Sequence, residues 1–157
     1  TVRAAPEARP GVTSGRGDTV FRKYGVLDER ELPARYEVGV KQYVTVTNTE
    51  AETGADIAAT MVIPAAVRYL GELKATGLTA LAKGLTTQIG SLDKAIKKLQ
   101  KVNLIHDDET IEKEATYMHD VVLPALLDVR VVADALERTV PDDLWPLPTY
   151  QEMLFIK

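Results

Sequence analysis

Two histidines each precede an aspartate: His106 before Asp107 and His119 before Asp120. Metal binding needs convergent ligands, commonly three or four. His106 falls in the turn "NLIHDD" and His119 inside a helical pattern, about 20 Å away at helical rise. Solvated or hydrogen-bonded histidines are the expected reading. In "EKEATYMHD", neither Glu112 nor Glu114 stands three residues before His119. The Glu-x-x-His element of di-iron helical proteins is therefore missing, and no second copy exists. Arg16-Gly17-Asp18 spells an adhesion tripeptide, but three common residues coincide often and nothing here marks secretion. "KAIKKLQK" is basic without aromatic neighbours, which suits a solvated helix face better than a nucleic-acid or membrane patch. There is no Gly-rich phosphate loop of the P-loop kind and no nucleophile elbow. Residue type and spacing thus assign no catalytic, cofactor-binding or metal-ligating residue. They describe a helical docking or assembly module.

The composition agrees. The chain has 157 residues, 45% apolar and 27% charged, which is ordinary for one globular domain. Its formal net charge of −4 argues against nucleic acid as a partner. With no cysteine there is neither a disulfide framework nor a thiolate metal site, which fits a reducing, cytoplasmic setting. No apolar run approaches the ~18 residues that would span a bilayer, and no signal peptide is visible. The first residue is Thr1, which points to a processed or excised piece.

Three stretches carry helical periodicity. Over 32–75, Val40, Thr47, Gly54 and Met61 recur every seven residues, and Val44, Ala51, Ala58 and Ala65 recur offset by four. Asp28 is placed to cap this helix, and Glu29 and Glu31 suit its positive end. The interior "TVTNTEAETG" is poor in helix propensity. "YVTVT" alone would suggest a strand, but its flanks keep the helical period. Gly71 and Thr76-Gly77 supply the stop.

Over 78–103, Leu78, Leu85, Leu92 and Leu99 form one row and Ala82, Ile89 and Ile96 the other. With two other amphipathic helices adjacent, an internal core is preferred to a dimerising zipper. Over 108–140 an acidic first turn (Asp107, Asp108, Glu109, Glu112) leads into two wholly apolar rows. These are Ile111, Met118, Ala125, Val132 and Ala115, Val122, Val129, Leu136.

The expected fold is all-α: an antiparallel three-helix bundle with an over-long first helix. An irregular arm (1–31) precedes it and an extended strap (141–157) follows it. Counting helical rise, the first helix protrudes over 32–49, leaving apolar Tyr36 and Tyr43 among residues that need a covering partner. The same count places Pro64 and Pro124 level with each other and with Gln88 to Gly90, which predicts one shared bend. In the tail "DDLWPLPTYQEMLFIK", Pro146 and Pro148 favour an extended path. Trp145, Tyr150, Leu154 and Phe155 then serve as packing anchors.

Four segments in order carry a resemblance: "VFRKYGVLDERELPARYEVGVKQY", "ATMVIPAAVRYL", "YMHDVVLPALLDVRVVADALE" and "DDLWPLPTYQEMLF". Together they resemble the C-terminal helical region of type III glutamine synthetases, and "AAPEARP" resembles the stretch leading into it. The likeness covers nearly the whole chain and is weakest over 78–102. Leu147 stands where that family has Phe, and Gln151-Glu152 where it has Gly-Asp. The resemblance implies a parent enzyme that joins ammonia to glutamate using ATP and Mg or Mn, in stacked hexameric rings. It also implies that the catalytic residues lie upstream, so none is carried over to this chain. The expected role is a non-catalytic domain that supports the catalytic domain of the same chain and contacts neighbouring subunits. The alternative is a free-standing helical adaptor or regulator without enzymatic activity.

Overall fold

The computed structural model describes residues 19–21, 23–28, 30–104, 110–148 and 150–154, and among these every regular element is helical. The first long helix opens with a reciprocal cap. The Asp28 carboxylate accepts from the Arg30 and Glu31 N–H groups at 2.7 and 2.8 Å, and Asp28 N–H donates back to the Glu31 carboxylate at 2.9 Å. This satisfies donors that a helix start leaves open. Helix α1 then runs Glu31–Ile57, a π-helical turn follows over Ala58–Val62, and α2 continues over Ile63–Ala75. The threonine-rich stretch stays helical, and the Thr49 hydroxyl bonds back to the Thr45 carbonyl at 2.8 Å. Gly77, at φ 75°, ends α2, and Leu78 N–H reaches back to Leu73 O at 3.1 Å. A positive φ at that stop suits glycine.

Helix α3 spans Thr79–Val102. The third long helix is likewise interrupted: α4 over Ile111–Tyr117, a π-helical turn over Met118–Val122 and α5 over Leu123–Glu137. Thr110 caps α4 by accepting from Lys113 N–H. A short α6, Tyr150–Leu154, adds a helical turn to the tail, where the prolines alone predict an extended path. None of the helices is long and apolar enough to cross a membrane, among the described residues.

The two π turns have one cause. Proline at position 64 or 124 offers no N–H, and its ring crowds the carbonyl four residues back. The residue before each proline instead bonds five residues back, Ile63 N–H to Ala58 O and Leu123 N–H to Met118 O. The widened turn makes room for the ring without breaking the helix. In the first long helix Val40, Val44, Thr47, Ala51, Ala55, Ala58, Val62 and Ala66 face inward. That is an eleven-residue repeat, not the expected seven. Ala55 and Val62 therefore take the core positions expected for Gly54 and Met61, and Met61 faces solvent. In the third long helix Ala115, Met118, Val122, Ala125, Val129 and Leu136 are buried as expected.

Two counts by level are corrected. Gly54 faces α5 so closely that a Cβ there would lie 2.8 Å from Leu126 Cδ1. Pro124 therefore stands level with about Glu52, and Pro64 is roughly 18 Å further along. The prolines therefore do not stand at one level, and the shared bend is not supported. Counting back from the same contact, Ile111 stands beside about Gly39. The start of the third long helix thus runs along the half of α1 expected to protrude. Val40 and Val44 are buried, and Tyr36 and Tyr43 pack against the core. The expectation failed because it began the third helix where the second one ended.

One core joins all three long helices, with Leu85, Leu92, Leu99, Met118 and Leu136 among its most deeply buried large side chains. Leu92→Ala is expected to cost about 3 kcal/mol in urea unfolding, the scale of a buried cavity. Leu127→Ala, on the outer face of α5, should stay within about 0.5 kcal/mol.

Candidate functional site

The surface of α5 carries apolar residues that the core does not use. Ala125, Val129 and Leu136 point inward, so Pro124, Leu127 and Val131 share the opposite face. Leu127 is 57% exposed and Val131 67%. Around them Lys98 of α3 pairs with Asp128 at 2.7 Å, and Arg130 reaches Asp134 at 3.8 Å. On α1, Val38 and Val46 are also exposed. These side chains do not help hold the chain together, so they suit contact with another surface.

The tail is tied down at its start. Pro141 O accepts from the N–H groups of Leu144 and Trp145, both at 3.0 Å. This turn brings Leu144, Trp145 and Leu147 against the core, each half-buried. Pro146 is half-buried and Pro148 exposed. Tyr150 begins α6. Phe155 lies outside the described residues, as do His106, Asp107, Asp108, Glu109 and the Arg16-Gly17-Asp18 tripeptide.

Tyr36 and Tyr43 line α1 where α4 covers it. The Tyr43 hydroxyl is buried and has no hydrogen-bond partner among the described residues. Burial pushes its pKa above the ordinary 10.0; the nearby Thr47 hydroxyl opposes this, and the Asp120 and Glu50 carboxylates add to it. His119 pairs with its neighbour Asp120 at 2.7 Å.

A groove that the sequence reading missed lies where the end of α3 meets α1. Its volume is about 530 Å³. Asn103, the C-cap of α3, donates through Nδ2 to Asn48 O at 3.4 Å. Asn48 in turn donates to the Glu52 carboxylate at 3.2 Å. Only an Asn just past a helix end, a common C-cap residue, hinted at this pair. Nothing local to either residue says that the two meet.

No three His, Asp or Glu side chains converge to hold a metal ion, among the described residues. Among the described residues, no cluster therefore fits the divalent ion that the family resemblance implies for the parent enzyme.

The family model of the glutamine synthetase C-terminal domain matches residues 1–80. A glutamine synthetase of Bacteroides fragilis is 28% identical over 171 residues, covering 97% of this chain and 24% of its own. A type-3 glutamine synthetase of Dictyostelium discoideum is 26% identical over 174 residues, covering 98% and 24%. A glutamine synthetase of Butyrivibrio fibrisolvens is 25% identical over 169 residues, with 98% and 24% covered. The chain spans about a quarter of the length of the curated relatives it matches.

Two substitutions check this geometry. Trp145→Ala should lower unfolding stability by about 2 kcal/mol, less than for a fully buried Trp; an unchanged transition would mean that the tail is not anchored by it. Tyr43→Phe removes a buried hydroxyl without a partner and should be neutral or stabilising by up to about 1 kcal/mol at neutral pH. The raised pKa of Tyr43 means that its stability contribution is intact below about pH 10 and lost as pH rises through the folded value. Urea melts at about pH 8 and about pH 11 should therefore show a smaller alkaline loss for Tyr43→Phe than for the parent.

Proposed function

Because this chain belongs to the glutamine synthetase C-terminal domain family, we propose that it braces the catalytic domain of a longer chain and helps subunits associate. The observation that carries this reading is the exposed Leu127–Val131 face of α5, which the chain's own core leaves bare. An apolar row that stays outside a complete core suits a permanent neighbour. The share of the relatives' length that the chain spans supports the same view, since most of each relative lies outside the match. In this reading the parent enzyme ligates ammonia to glutamate in the cytoplasm at the expense of ATP, with Mg or Mn. The chain described here contributes shape and contact, not chemistry.

Two measurements test it. The 157-residue chain, mixed with ATP, Mg²⁺, glutamate and ammonia, should form no glutamine; robust turnover would overturn the reading. In the longer protein, Leu127→Lys combined with Val131→Lys should lower the assembled fraction in sedimentation by about tenfold or more. The same pair should leave the 157-residue chain's unfolding midpoint nearly unchanged. Intact assembly with both lysines in place would remove this face from the interface.

A further inference from the structure

The outer face of α1 carries a stripe that the bundle does not use. Val38, Gln42, Thr45, Thr49 and Thr53 each stand two residues before a buried one: Val40, Val44, Thr47, Ala51 and Ala55. Two residues turn a helix by about 200°, so the two stripes lie on opposite faces and share one repeat. All five outer residues are exposed, and Val46 beside them is exposed too. All but Gln42 are β-branched, a choice that costs helix propensity and gains nothing on a solvated face. The Thr49 hydroxyl donates to Thr45 O at 2.8 Å, so packing against it strands no donor. Two shallow grooves lie along the stripe, of about 390 Å³ at Val38 and Gln42 and about 470 Å³ at Thr45 to Thr53.

The charges at the ends of the stripe indicate what covers it. Arg35 continues it three residues before Val38, and Asp56 continues it three residues after Thr53. Nothing between them on the stripe is charged. Both side chains are exposed, and neither has an ion-pair partner among the described residues. A neutral, β-branched row with a cation at one end and an anion at the other is complementary to itself turned round. A second copy laid parallel would set Arg35 against Arg35 and Asp56 against Asp56. Laid antiparallel about a two-fold axis between Thr45 and Val46, it sets each Arg35 against the partner's Asp56. The same register sets Val38 against the partner's Thr53 and Gln42 against the partner's Thr49, which seats each valine in the larger groove. We propose that α1 pairs antiparallel with α1 of a second copy of this chain through this stripe. The contact uses neither the α5 face nor any other part of a longer protein, so it goes beyond the bracing role above.

Sedimentation equilibrium of the 157-residue chain tests it. One helix pair buries less than a standard interface, so dimers should form at about 10–100 µM. Arg35→Asp should weaken the dimer about tenfold or more, because both ion pairs become repulsions, and Asp56→Arg should do the same. The two changes together should restore the parental association. Leu127→Lys with Val131→Lys, on the α5 face, should leave this dimer intact. The chain has no cysteine, so Thr45→Cys puts one thiol per copy beside the axis and should oxidise readily to a covalent dimer. Val38→Cys, facing the partner's Thr53, should cross-link about tenfold more slowly or less. A chain that stays monomeric throughout this range would overturn the proposal and assign the stripe to another domain. A dimer indifferent to the charge reversals, or one that the double reversal does not restore, would overturn it as well.

Discussion

Pro64 and Pro124 each deny a long helix one backbone donor, and each directly follows a turn in which the hydrogen bonds reach five residues back. Without that wide turn the proline ring would strike the carbonyl four residues before it, and the helix would end there. With it, both helices continue past the proline and bury Ala65 and Ala125 immediately after. The inward face of the first long helix follows an eleven-residue repeat that is set before the turn, at Val40, Val44, Thr47, Ala51 and Ala55, and continues through it, so Val62 rather than Met61 enters the core.

Small side chains make the packing of that face close. Ala51, Ala55, Ala58, Ala65 and Ala66 are all buried, and Gly54 admits the Leu126 methyl group where a Cβ would collide. Such closeness leaves little room to solvate polar groups between helices. The Tyr43 hydroxyl and the amide oxygens of Asn48 and Asn103 end up out of water without partners among the described residues. At Tyr43 the consequence is a raised pKa. At the two asparagines it is a pair of amide oxygens closed off where α3 stops against α1.

The core and the outer surface divide the work of the sequence. Every apolar position of the two rows in the third long helix is buried or packs against the core, while Pro124, Leu127 and Val131 of the same helix face away. Membership of the glutamine synthetase C-terminal domain family gives that outward face a context, since the matched relatives are about four times as long. The tail follows the same division. Its first turn is folded onto the core through Leu144, Trp145 and Leu147, and its last described side chains, Met153 and Leu154, are exposed.

Local features were legible because they depend on neighbours a few residues apart. The Asp28 cap, the stop at Gly77 and the all-α class follow from capping chemistry, glycine's freedom at positive φ and apolar spacing. The family was legible too, through four ordered segments ending on the Trp-Pro-x-Pro-Thr-Tyr tail; the family model matches the first half and the relatives match nearly the whole chain. Tertiary structure alone decided the rest. It set Ile111 beside about Gly39 of α1, which covers Val40 and Val44, and it separated the two prolines along the helices. It also brought Asn103 to Asn48, 55 residues apart in the chain. The physical reason is that periodicity says which face of a helix is apolar but not how far the chain travels before the next helix begins. That distance is settled by packing between residues far apart in sequence, such as Gly54 against Leu126.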